Sequence, residues 1–185
     1  MTKREPYSTI DQVLIDDNGY WRYKRDEYVL SDQLTHAEYF YADSHGSTII
    51  IPMISAESVL MVKQFRYLNK KLSIEFPGGG LQFGMTPEEN AKKELLEETG
   101  MKADKFLHIG SFNPCNGITN ELCSVYIAKD LRFVGQNTDA TEEIEIMEVT
   151  LDECRSMIQA GTIWDGMTLA SWTLYQIAQS KDFSP

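Results

Sequence analysis

Glu94, Glu97 and Glu98 stand at i, i+3 and i+4, a short distance after a run of three glycines, Gly78, Gly79 and Gly80. On a helix the three carboxylates share roughly one face, where like charges repel. A divalent cation reverses that penalty, because hard ions such as magnesium take carboxylate and carbonyl oxygens and leave positions for water and a substrate phosphate. The glycines suit the same chemistry. With no side chains in the way, their carbonyls can face a metal and their amides, Gly80 included, a phosphate. An isolated Glu-rich helix is more simply a solvated surface, so the weight falls on what surrounds it.

Local signals place the helix. Thr86 is a good N-cap, Pro87 fits the first helical position, Glu89 falls where a capping box wants its carboxylate, and Gly100 supplies a left-handed terminator. A helix from Pro87 to Thr99 is predicted, with the glycines before it as a turn. Upstream, Thr48 to Ile54, Val59 to Phe65 and Leu72 to Phe76 are apolar strand candidates, the last feeding into the glycines. Downstream, Phe106 to Phe112, Leu122 to Ala128 and Ile144 to Val149 read as strands, and Leu151 to Ala160 as a helix ended by Gly161. Met167 to Gln179 is apolar on most sides, which predicts a buried closing helix. From Tyr20 to Tyr41 aromatic and apolar residues alternate with charged ones, the period of an antiparallel sheet. The polar break from Asp43 to Ser47 divides the chain into an N-terminal β appendage, residues 1–46, and a main domain, residues 47–185.

Composition narrows the class. At 185 residues with 42% hydrophobic content, the chain can bury one well-formed core. Its net charge of -11 argues against nucleic-acid binding, which needs a basic surface. No apolar run approaches a membrane span and the N-terminus lacks a signal-peptide core, so a cytoplasmic protein without membrane association is expected. Cys115, Cys123 and Cys154 are odd in number and lack C-x-x-C spacing, which indicates neither a disulfide framework nor a zinc site.

The glycine run and acidic helix together resemble the Nudix box. Gly79 opens the pattern, and Lys93, Glu94, Leu95, Leu96, Glu97, Glu98, Thr99, Gly100 and Met101 close it in register, with Met85 where the family has Glu and Lys93 where it has Arg. Gln64-Phe65-Arg66-Tyr67, Glu75-Phe76-Pro77-Gly78 and Asn113 to Glu121 are similar to segments of the ADP-ribose and nucleotide-sugar pyrophosphatases, although Asn116 stands where their marker loop has proline. The resemblance implies an α+β Nudix fold, a mixed β-sheet sandwiched between α-helices, carrying a small N-terminal antiparallel sheet. It implies metal-dependent cleavage of a nucleoside diphosphate sugar, with magnesium, or manganese, as cofactor. Glu94, Glu97 and Glu98 with the Gly78 carbonyl would hold the metal, and Glu142, Glu143 or Glu97 would act as base. Arg66 suits a phosphate through its two-pronged guanidinium, and Glu121 matches a sugar-contacting position. The subfamily also implies a homodimer built on the N-terminal sheet. A non-catalytic nucleotide-sugar sensor, and a pyrophosphatase for another nucleoside diphosphate derivative, are the alternatives.

Overall fold

The computed structural model describes residues 6–19, 21–32, 34–135 and 143–180. The chain forms two compact units, Met1–His45 with Cys115–Glu121, and Gly46–Pro114 with Leu122–Pro185.

In the first unit, β1 (Tyr7–Asp17), β2 (Arg22–Leu30) and β3 (His36–Asp43) form an antiparallel sheet in that order. The alternation from Tyr20 to Tyr41 corresponds to β2 and β3. Sequence periodicity missed β1, and the register shows why: bulges between Thr9 and Asp11 and between Leu14 and Asp16 break its period of two. The sheet is tied to the Cys115–Glu121 segment, with Ala42 N donating to the Ile118 carbonyl at 2.9 Å and Tyr39 Oη to the Gly117 carbonyl at 2.9 Å. Buried Asp43 receives Arg22 at 2.8 Å, Lys24 at 2.7 Å and Asn120 Nδ2 at 2.6 Å. Burial alone would raise its pKa, but the bonds from Lys24 and Asn120 outweigh burial and hold it below the ordinary aspartate value. Its contribution to stability is therefore present above the ordinary aspartate range and is lost as pH falls through the lowered value.

The second unit contains β4 (Ser47–Pro52), β5 (Ser58–Arg66), β6 (Lys71–Glu75), β7 (Gly78–Gly80), α1 (Pro87–Thr99), β8 (Met101–Phe112), β9 (Cys123–Phe133), β10 (Glu145–Thr150), α2 (Leu151–Gln159) and α3 (Gly166–Ser180). A four-stranded sheet has the order β7-β4-β9-β8, mixed because β4 and β9 run parallel, and a three-stranded antiparallel sheet has the order β10-β5-β6. Alternate residues of β4 and β9 point to opposite faces. Ile50, Tyr126 and Ala128 pack with Ala91 and Leu95 of α1, while Ile49, Ile51, Val125 and Ile127 pack with Met61, Cys154, Trp172 and others toward β5, α2 and α3. Fully burying such aliphatic side chains is worth about 1.5–3 kcal/mol each, so the central strands anchor whatever is hydrogen-bonded to them.

Two expectations need correction. The glycines do not form a turn: they form β7, an edge strand paired antiparallel with β4 through Ser47–Gly80, Thr48–Gly79 and Ile49–Gly78. The closing helix α3 is not buried all round either. Only Thr168, Ser171, Trp172 and Tyr175 are buried, a single stripe at i, i+3, i+4 and i+7, and Ile177 is 45% exposed. No helix among the described residues is long and apolar enough to cross a membrane.

Candidate functional site

The helix that carries the carboxylates is fixed by its own ends. Thr86 Oγ1 accepts from Glu89 N at 3.3 Å, Thr86 N donates to Glu89 Oε2 at 2.8 Å, and Gly100 closes the helix at φ 68°. Two stripes then face inward. Ala91 and Leu95 form the apolar one. Asn90, Glu94 and Glu98, at successive i+4 steps, form a polar stripe toward β7.

Contacts across that boundary explain the glycines. Gly78 N donates to Glu98 Oε2 at 3.0 Å, and buried Asn90 donates through Nδ2 to Thr48 Oγ1 at 2.9 Å and to the Gly79 carbonyl at 3.4 Å. A Cβ at Gly79 would lie 2.8 Å from Glu94 Oε2. One at Gly78 would lie 2.7 Å from Ile49 Cδ1 and 3.0 Å from Ile49 Cα, and closer still to the Thr48 carbonyl oxygen. The absence of side chains therefore lets the strand lie against both β4 and the carboxylates.

Lys93 supplies the positive charge. Its ammonium lies 3.3 Å from Glu94 Oε1 and also donates to Glu97 Oε2. Burial would lower its pKa, but the bonds to Glu97 and Glu94 outweigh this and raise it above the ordinary lysine value. Among the described residues no three acidic, imidazole or thiol side chains converge into a ready-made metal cage. Their chemistry fits a hard cation nonetheless: the lysine ammonium already marks where positive charge is stabilised between Glu94 and Glu97, and buried Glu98 lies on the same stripe as Glu94.

Arg66 reaches this region from β5. Its Nε donates to Glu75 Oε1 at 2.7 Å and its Nη2 to Glu75 Oε2, a two-pronged pair with a buried carboxylate. The bonds to Glu75 raise the guanidinium's pKa further, against burial, and the charges of Asp165 and Glu98 add to the effect. Glu75, which the sequence offers only as the first residue of the Glu75-Phe76-Pro77-Gly78 segment, is thus a positioning partner of Arg66. The β5-β6 register, Val62 opposite Glu75 and Arg66 opposite Lys71, puts Gln64, Arg66, Ser73 and Glu75 on one face, and that register is not written in local sequence. Asp165 accepts from Thr168 N at 2.7 Å, and Thr168 Oγ1 accepts from Phe76 N at 3.2 Å, which ties the start of α3 to the chain just before the glycines.

The remaining candidates are placed differently. Glu143 is exposed and lines a shallow recess of about 360 Å³ with Lys63, Phe65, Leu72, Ile144 and Glu145. Glu142 lies outside the described residues. Gly80 is exposed at the end of β7, opposite Ser47. Glu121 belongs to the smaller unit, where it is buried and its amide donates to Thr119 Oγ1 at 3.1 Å.

Arg66→Ala should destabilise the protein by about 1–3 kcal/mol, because it strands the buried Glu75 carboxylate. Adding Glu75→Gln should restore most of that loss. Urea unfolding of the wild type, the single variant and the double variant measures both effects, and an unaltered midpoint in Arg66→Ala would show that Glu75 is held by other groups.

The family model for the NUDIX domain matches residues 44–166. The ADP-ribose pyrophosphatase of Bacillus subtilis (strain 168) is 29% identical over 137 residues, which cover 73% of this chain and 74% of that protein. A GDP-mannose pyrophosphatase of Salmonella paratyphi B (strain ATCC BAA-1250 / SPB7) is 26% identical over 185 residues, covering 93% of this chain and 95% of that one. A crystal structure of an ADP compounds hydrolase superimposes with a TM-score of 0.82, covering 96% of this chain and 97% of the other at 12% identity, a likeness of fold.

Proposed function

This chain belongs to the NUDIX family, and from that premise we propose that it hydrolyses the diphosphate bond of ADP-ribose or another nucleoside diphosphate sugar, releasing a nucleoside monophosphate and a sugar phosphate. The observation that carries the reading is the Glu94–Glu98 stripe laid against the glycine strand, with Arg66 held by Glu75 within electrostatic reach of Glu98. Relatives named ADP-ribose pyrophosphatase and GDP-mannose pyrophosphatase supply the substrate class.

Glu94, Glu97 and Glu98, with the Gly78 carbonyl, would hold divalent magnesium or manganese, which when bound neutralises phosphate charge and acidifies a coordinated water. Arg66 offers its guanidinium to a phosphate, pre-oriented by Glu75 so that little rotamer freedom is lost on binding. The Gly80 amide is the backbone donor for a phosphate. Glu142, or Glu143 beside it, takes the proton from the attacking water, with Glu97 as the third candidate. A base so placed contributes roughly 10²- to 10⁴-fold. For Glu121 as a sugar contact, the support is the motif match alone.

Purified protein should release monophosphate from at least one of ADP-ribose, GDP-mannose and related nucleotide sugars with magnesium or manganese, and lose that activity with excess chelator. Binding of a nucleotide sugar without turnover across the panel would replace this reading with a non-catalytic sensor.

A second copy of the chain covers the N-terminal sheet. Tyr7, Ile10, Leu14, Trp21, Tyr23 and Phe40 are each more than 40% exposed, and a small sheet with uncovered apolar faces is marginal in water. Light scattering at micromolar concentration should give the mass of a dimer, and Tyr23→Lys with Phe40→Lys should reduce it to that of a monomer. A wild-type monomer would leave the sheet to some other purpose. The cytoplasm suits a chain whose three cysteines are odd in number and lack C-x-x-C spacing.

A further inference from the structure

Lys92 and Leu96 lie two positions either side of Glu94 along α1, about 200° around the helix from it, and they open onto a second recess of about 300 Å³. Four cations line it: Lys92 and Lys93 from α1, Lys102 from β8 and Arg132 from β9. Leu96, Ala103 and Phe106 complete the lining, all half-buried, and no acidic residue is part of it. In a chain with 28 acidic and 17 basic residues, four lining cations without a lining acid run against composition. Acidic neighbours temper the field at the rim, with Glu88 2.6 Å from Lys92 and Asp104 3.4 Å from Arg132. Lys102 has no ion-pair partner among the described residues. Lys92 also sits over the Phe106 ring, 5.5 Å from its centroid.

We propose that this recess binds a phosphomonoester with a planar aromatic body, a nucleoside monophosphate, at a site separate from the carboxylate stripe. An arginine fork and clustered ammonium groups match the several oxygens of a phosphate better than a single carboxylate would. The Leu96, Ala103 and Phe106 surface favours an apolar, planar body over a bare sugar. The volume is at the lower end for ligand sites and matches a ligand the size of a single nucleotide.

Lys93 joins the two sites. An anion in the recess competes with Glu94 and Glu97 for its ammonium, and drawing it away leaves those carboxylates with less compensating charge. Divalent-cation affinity therefore rises when the recess is filled, and by reciprocity the cation strengthens binding there. That the occupant is a reaction product rests on the proposed hydrolysis. The site itself does not.

Titration of the full-length protein with AMP in magnesium buffer, followed by amide NMR, should shift Lys102, Ala103 and Phe106 saturably. Adenosine and inorganic phosphate should each bind there at least about tenfold more weakly. Lys102→Ala with Arg132→Ala should weaken AMP at these amides at least about tenfold, since two charge-assisted bonds are lost, with turnover in the absence of AMP unchanged. Manganese affinity measured by electron paramagnetic resonance should rise with AMP in the wild type and not in the double variant. Unmoved amides, an undiminished response in the double variant, or equal binding of phosphate alone would overturn the assignment. These readings stand whether or not any nucleotide sugar is hydrolysed, so failure of one proposal is distinguishable from failure of the other.

Discussion

Glu98→Gln should abolish turnover and leave the fold standing. The carboxylate is buried at 7% exposure and accepts from Gly78 N at 3.0 Å. A glutamine carbonyl can accept the same bond, so the strand-to-helix contact survives while one charge of the repelling stripe is removed. Outer-shell partners of a metal are each worth about 10- to 100-fold in affinity or activity, so loss of a ligand carboxylate should exceed about 10²-fold in kcat/KM. Circular dichroism and urea unfolding check the fold, steady-state kinetics the activity, and manganese titration the binding. Activity retained within a few-fold would remove Glu98 from the metal assignment.

Two alanine substitutions, one residue apart, should fail in different ways. At Gly78 the new Cβ meets backbone, the Thr48 carbonyl and Ile49 Cα, which cannot yield without moving the central strand. Gly78→Ala should cost about 3 kcal/mol, the upper end for overpacking, read as a fall in the urea midpoint. At Gly79 the three atoms nearest the new Cβ all belong to the Glu94 carboxylate, with Oε2 at 2.8 Å and Oε1 at 3.1 Å. That carboxylate can swing aside, so Gly79→Ala should cost less than about 1 kcal/mol, while turnover falls about 10- to 100-fold because Glu94 no longer lies against β7. Equal stability losses at the two positions would show that β7 is a flexible turn in solution.

What the sequence disclosed, and what it concealed, follows the range of the forces involved. The extent of α1 was legible because Thr86, Pro87, Glu89 and Gly100 act within one turn of their own positions. Glu94, Glu97 and Glu98 were legible as a group for the same reason, through helical spacing. The lysine bridge to Glu97 is an i, i+4 pair and could have been read in the same way. The pairing of Arg66 with Glu75 depends on a hairpin register set by burial on both strands. The lacing of Cys115–Glu121 to β3 joins segments with the whole acidic helix between them. The glycines misled in a different respect. Their composition speaks of freedom, whereas the close approach of Thr48, Ile49 and Glu94 uses them for want of volume, a property of neighbours that local sequence does not show.

The place of β4 between β7 and β9 also sets an order of events during synthesis. β4 pairs in parallel with β9, from Ser47 opposite Cys123 to Pro52 opposite Ala128, so this pairing cannot begin until the chain has been made well past α1. The helix is under no such constraint, since its caps lie within itself. It emerges from the ribosome ahead of β9, able to coil before the sheet that receives it is complete. During that interval β7, which its carboxylates face, is already made but β4 behind it still lacks β9, and Lys93, one residue from Glu94 and four from Glu97, is the counterion that travels with the helix.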